Sequence, residues 1–341
     1  MRKILIVSFV TLLSLLMVYG LADAVVDGPC ADCHTMHGYQ NGVVITWLKG
    51  TTESDGPYGS LIKGTCLGCH TTTTTDPLDG GYPRVQSTIT NGFTDTNCLA
   101  GGFFTDADPD YTGKSHSIES TEPPVGNDYA TYRAENYDAT EGLTCAGTSG
   151  CHGDPRIADS SAAIAGGHHG TTVGGYRMLV AGTTVINVGG VRASDFEKAL
   201  NAAPSIEDAH NVYQAGSGGN TISDFCATCH GIFHGSVENA DSAWIRHPTD
   251  VAIPNTWEIY TAFTDEWTND PEAWKNHPLG FTTPTSPSNA TAQVTCLSCH
   301  RAHGTANNDI LRWDYTTVML AGQPSGSQVT YGCLGCHNSQ R

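Results

Sequence analysis

The sequence predicts a mostly irregular chain, with short helices and a few short strands, whose interior is filled by something other than side chains. Two observations lead there. The 341 residues include 39 glycines and 16 prolines, and few apolar runs keep either a helical or a strand period. Thirteen cysteines recur in one pattern with histidine instead of scattering as a disulfide framework would have them.

At the N-terminus, Arg2 and Lys3 precede an apolar run from Ile4 to Leu21 and an Ala22-Asp23-Ala24 exit. This is the pattern of a secretory signal over residues 1–24, cleaved before Val25. The expected mature chain, 25–341, is exported. No lipobox cysteine lies at the cleavage point, and no later stretch approaches the roughly 18 apolar residues of a membrane span. The formal charge of the whole sequence is -18, and losing Arg2, Lys3 and Asp23 makes it one unit more negative. That balance argues against nucleic acid and against anionic lipid as partners. Length alone suggests two domains, but the composition offers too little for two apolar cores, so a single domain over 25–341 is expected.

The cysteines carry the chemistry. Five complete Cys-x-x-Cys-His runs are present: Cys30/Cys33/His34, Cys66/Cys69/His70, Cys226/Cys229/His230, Cys296/Cys299/His300 and Cys333/Cys336/His337. A sixth, CAGTSGCH, places Cys145 and Cys151 before His152 with five residues between the cysteines. In such a run two thiols add across the vinyl groups on one edge of a haem, and the adjacent histidine brings its imidazole to the iron. Zinc sites also use Cys pairs and His. Zinc, however, does not need histidine as the very next residue, and with 15 histidines in 341 positions that coincidence has odds of about one in twenty each time. It follows every complete pair. The five-residue spacer of the sixth run reads as a Gly/Ser loop that bulges out and still presents both sulfurs. Cys98, in TNCLA, is left over and reads as a buried thiol.

Six covalently attached haem c groups are therefore expected, and they explain the composition. Flat apolar macrocycles supply the interior, so the fold class is a multihaem c-type cytochrome wrapped around a chain of stacked haems.

Six histidines next to cysteine, His34, His70, His152, His230, His300 and His337, are the proximal ligands of this reading. Nine more remain for six distal positions. CHTMH, CHGIFH and CHRAH place His37, His234 and His303 three or four residues after a proximal histidine, the spacing of neighbours on one helical face. Both members of such a pair cannot serve one iron, because the macrocycle separates its two axial positions. The second imidazole must close another haem. His247 in RHP and His277 in NHPLG precede proline, where the backbone is held extended, and are read as distal ligands. His116 in KSHSI and the pair His168-His169 in GGHHG flank the sixth run; one of the pair is expected to ligate while the other supports it. His210 has no haem motif beside it and is read as structural.

An internal repeat is visible: CADCHTMHG is followed 36 residues on by CLGCH, and CLSCHRAHG 37 residues on by CLGCH again. These are two-haem units at about 28–75 and 275–341, with a central part, 76–274, holding two more haems. In the centre, YRMLVAGTTVINVGGV reads as short strands and SDFEKALNAA as a turn or two of helix.

The order of motifs resembles the OmcS-type hexahaem cytochromes, across the haem sites of the whole mature chain. The resemblance rests on CADCHTMH just after the signal, CLGCH, a third motif preceded by KSHSI, FCATCHGIFHGS with IRHP, CLSCHRAHG, and a final motif at the C-terminus. It implies an outer-surface protein that polymerises into conducting filaments. It also implies that His37 crosses to a neighbouring copy and closes the haem on Cys296, Cys299 and His300, joining copies head to tail. Two departures stand out: the five-residue spacer, and CHGDP, which lacks a second histidine, so that distal role passes to another residue such as His168 or His169.

The leading function is electron transfer through six bis-histidine haems, between external donors and acceptors, with both axial positions closed to substrate. The other readings are a monomeric periplasmic shuttle and a multihaem reductase with one open iron. Location is extracellular or on the outer surface, with the periplasm as the alternative.

Overall fold

The structure, a computed structural model, describes residues 29–35, 39–40, 43–44, 61–89, 92–104, 113–116, 118, 143–170, 174–181, 186–192, 211–231, 247–253 and 277–318. The signal segment, His37, His210, His234, the SDFEKALNAA stretch and the motif Cys333/Cys336/His337 lie outside them.

Within these residues the chain is mostly coil, as its composition predicts. The largest sheet has five two- or three-residue strands: β1 (Gly190–Val191), β2 (Val212–Gln214), β3 (Val251–Ala252), β4 (Gly280–Phe281) and β5 (Ala292–Val294). Their order is β3-β5-β4-β2-β1. The β2–β4 pair is parallel, with Tyr213 opposite Gly280, and the other neighbours are antiparallel. Phe281 and Val212 are fully buried on it. Val180–Ala181 and Ile186–Asn187 form a separate antiparallel pair, so the expected strands of 176–191 are present.

Apolar side chains cluster only in small groups. Leu179, Val188, Ile222 and Leu297 make one, with Tyr213 and Phe225 against it. Phe93, Phe103 and Cys98 make another, which places the Cys98 thiol among aromatic rings as expected. Neither resembles the single contiguous core of a conventional domain of this length.

The helices are single turns, and most carry a cysteine motif. They are α1 (Cys30–Cys33), α2 (Cys66–His70), α3 (Ser160–Ala163), α4 (Ile222–Ala227) and α5 (Tyr315–Val318), with Cys296–Ser298 among the 3-10 turns. Threonine just before the turn starts several of them. Thr65 Oγ1 accepts from the Gly68 N–H at 3.3 Å. Thr221 and Asp224 form a reciprocal capping box: Thr221 Oγ1 accepts from the Asp224 N–H at 2.9 Å and Asp224 Oδ2 accepts from the Thr221 N–H at 3.3 Å. The Thr295 N–H donates to Ser298 Oγ at 3.0 Å. No helix among the described residues is long and apolar enough to cross a membrane.

Candidate haem-binding site

Each complete motif that is described closes one helical turn in the same way. The histidine N–H donates to the carbonyl of the first cysteine: His34 to Cys30 at 2.8 Å, His230 to Cys226 at 2.9 Å, His300 to Cys296 at 3.0 Å. This puts positions i, i+3 and i+4, the two sulfurs and the imidazole, on one face. The long-spaced motif does it differently. Thr144–Ala146 and Gly150–His152 pair as parallel strands around a loop at 147–149, in which the Gly147 N–H donates to the His152 carbonyl at 2.9 Å. The five-residue spacer is thus taken up as a bulge, as its Gly/Ser content suggests.

After the motif, the chain is clamped by a second segment, and the clamp repeats. His34, His152 and His300 form single bridges with Ile62, Leu179 and Leu311. In each case the preceding residues have a left-handed backbone: Leu61, Arg177-Met178 and Asp309-Ile310, with φ between 46° and 59°. Non-glycine residues rarely adopt that conformation, and its cost is justified by what it delivers. The carbonyls of Arg177 and Asp309 turn to the ring Nδ1 of His152 and His300, at 2.9 and 2.8 Å. His70 Nδ1 reaches the Pro83 carbonyl at 2.7 Å, and His116 Nδ1 the Ala302 carbonyl at 2.7 Å. A donated Nδ1–H leaves the lone pair of Nε2 free for a metal and fixes the ring's orientation.

The imidazoles come in facing pairs. His34 and His169 have ring centroids 6.2 Å apart, His70 and His168 6.2 Å, His116 and His230 6.3 Å, and His152 and His303 6.4 Å. A first-row metal–imidazole bond is about 2.0 Å and a ring nitrogen stands about 1.1 Å from its centroid, so two trans axial imidazoles on one iron place their centroids about 6.2 Å apart. Among the described residues no group of three or more Cys, His or carboxylate side chains converges as a metal-ion site.

Burial favours the neutral form, the one that binds iron, at seven of the histidines. Packing pushes His70, His116, His152, His168 and His300 below the ordinary imidazole value, His230 to about 4 and His303 to about 3. The sulfurs are neighbours too. The Cys226 thiol donates to Cys296 Sγ, which raises Cys226 and lowers Cys296. Desolvation raises Cys69, with Cys33 adding to it, and pushes Cys151 to about 12, with Cys229 adding to it. Motifs one and two therefore adjoin, as do three, four and five, and His152 acts on His70 across the junction of two and three.

Two differences from the sequence reading appear, and His300 is a separate case. His168 and His169 were expected to divide into a ligand and a support; instead their rings face two different proximal histidines, His70 and His34. His303 was placed by helical spacing from His300, but residues 301–304 are not helical: the His303 N–H bonds the Gly101 carbonyl, and Gly304 bridges Gly102 and Ser115. It nevertheless faces another motif's histidine, as argued. His300, finally, has no imidazole opposite it among the described residues. His277 is buried with its ring 5.2 Å from that of Trp313, and His247 is exposed with Nδ1 3.0 Å from the Pro248 carbonyl. The carbonyl partners of Nδ1 carry no sequence signal, since Arg-Met and Asp-Ile do not advertise a left-handed turn.

Cysteine pairs with an adjacent histidine, and neutral imidazoles facing each other at the span of one iron, are the features of a multihaem c-type cytochrome. Residues 289–341 match the family model of the doubled CXXCH motif. The chain is 27% identical over 375 aligned positions, 89% of its own length and 82% of the other, to the C-type cytochrome OmcS of Geobacter sulfurreducens. Among solved structures it is similar to the Outer Membrane Cytochrome S filament of Geobacter sulfurreducens, at 19% identity with a TM-score of 0.40 over 84% of each chain. It is also similar to the cryo-EM structure of the OmcS nanowires of that organism, at 20% identity with a TM-score of 0.47 over 83% of each chain. The likeness is to an OmcS-type cytochrome.

Proposed function

We propose that this protein carries electrons through six covalently attached, bis-histidine haems, as a subunit of an extracellular filament. The observation that carries the haem reading is the set of four imidazole pairs at 6.2–6.4 Å. The pairs support a reading in which His169 closes the first haem, His168 the second, His303 the third and His116 the fourth, opposite His34, His70, His152 and His230. The fifth haem, on Cys296, Cys299 and His300, and the sixth, on Cys333, Cys336 and His337, take their distal ligands from His37, His234, His247 and His277. Closed axial positions favour electron transfer without substrate binding at iron.

That no imidazole among the described residues faces His300 is compatible with the filament reading. A histidine supplied by another copy, His37 in the resemblance to the filament cytochromes, completes that iron and links copies in an open head-to-tail series. A reductase with one substrate-accessible iron is compatible with it as well, so the two readings part on assembly and spin state. Intact mass and pyridine haemochrome counting on the exported protein test the haem number, six being expected. A chain without haem, or with one or two, overturns the reading. Filaments by negative-stain microscopy, with low-spin haems only, are the expected state. Single-chain particles with one high-spin haem would favour the reductase instead.

A further inference from the structure

We infer that Arg301 is the internal cation of the haem row, positioned to hold the third, fourth and fifth haems at more positive potential than their neighbours. The inference rests on the haem reading above. Arg301 is only 4% exposed. Its guanidinium donates to three backbone carbonyls, Leu99 at 3.1 Å, Ala100 at 3.2 Å and Asp95 at 3.2 Å. None of these is an anion. The Asp95 carboxylate is engaged elsewhere, accepting from the Ala306 N–H at 3.1 Å and from Asn307 Nδ2 at 3.4 Å. Arg301 Nε is buried with no hydrogen-bond partner. Buried guanidinium groups in proteins are normally paired with a carboxylate, and the described residues offer this one none.

Its place in the chain makes the charge consequential. The four residues from His300 to His303 reach three iron sites. His300 is proximal to the fifth haem, the Ala302 carbonyl orients His116 of the fourth, and His303 faces His152 of the third. Arg301 sits in the middle of that segment. The loop beneath it is glycine because nothing larger fits: a Cβ on Gly102, whose φ is +80°, would stand 2.0 Å from the Gly304 carbonyl and 3.0 Å from Arg301 Cδ. A Cβ on Gly101 would stand 3.1 Å from His303 Nδ1. Adding an electron to a ferric haem makes it one charge more negative. A fixed cation in a poorly screened interior therefore stabilises the reduced form. An arginine keeps its charge at any working pH.

The test is spectroelectrochemical titration of the haem-loaded, exported protein carrying Arg301→Gln or Arg301→Lys. Lysine keeps the charge but not the fork that bridges three carbonyls. With haem number unchanged, Arg301→Gln is expected to move part of the titration curve to more negative potential, and Arg301→Lys to leave it in place. Curves that superimpose for both variants and the parent overturn the inference, as does an equal shift for both. If the Gln variant is exported without its full haem complement while the Lys variant loads all of them, the charge is what the site requires and the inference stands. If neither loads, Arg301 is a structural tie and the inference falls. A parent protein without haem would instead sink the reading beneath it.

Discussion

His303 lies beside one cysteine motif and faces the histidine of another. It follows the motif of the fifth haem by three residues, yet its ring faces His152 of the third at 6.4 Å. It is buried, with Nδ1 turned to the Gly102 carbonyl at a geometry outside a standard hydrogen bond. Replacing His303 with alanine is expected to leave the haem count unchanged and to convert one haem from low to high spin, read in the optical and EPR spectra of the ferric protein. A spectrum identical to the parent's would show that the third iron takes its ligand elsewhere. At this scale much was legible. Every proximal histidine is named by the residue before it, and the idea that a second histidine must serve another iron follows from the flatness of the macrocycle alone. The division of His168 and His169 was not legible, because the two lie in a run of tight turns, with the His169 N–H on the Gly166 carbonyl and the Gly170 N–H on that of Gly167, each at 3.0 Å, and sequence does not say which way each ring leaves such a run. Nor was Arg301, whose burial depends on a loop 200 residues earlier.

The elements are small enough that their ends decide whether they form. A four- to six-residue helix has almost no intrinsic stability, so capping and attachment to haem must hold it. Helix α4 is the clearest instance. Thr221, itself fully buried, accepts from the Asp224 N–H, and its own hydroxyl donates to Asp250 Oδ2 at 2.9 Å, both aspartates being half-buried. Thr221→Ala removes the cap and leaves Asp250 short of a donor, and is expected to cost about 1–2 kcal/mol. A lowered denaturation midpoint with the haem count intact would be the observation; an unchanged midpoint would mean that the thioether bonds alone hold the turn. The strand content was foreseen only where β-branched residues cluster, at 180–191. The five-stranded sheet was not, since β2 and β4 are separated by more than 60 residues and each is too short to show a period. The left-handed turns at Arg177-Met178 and Asp309-Ile310 were hidden for a related reason: no glycine or asparagine marks them, and tertiary contact with the proximal histidine overrides local preference.

For the molecule as a whole, composition had already excluded a side-chain core, and the small apolar clusters around Val188 and Phe103 agree. The question at this scale is whether copies join. His37→Ala is expected to abolish filaments in negative stain while the isolated subunit keeps its six haems, with one of them, the fifth, turning high-spin. Filaments that persist in the variant would place the junction elsewhere. Inside one subunit, the paired residues His168 and His169 set a different kind of constraint. Consecutive Cα atoms are about 3.8 Å apart and a peptide unit does not stretch, so the two irons they face are tied by covalent geometry. Were both to ligate, the gap between those two irons would be set mainly by one peptide unit and two imidazole side chains, and its tunnelling rate would be the one least sensitive to mutation of the surrounding loops.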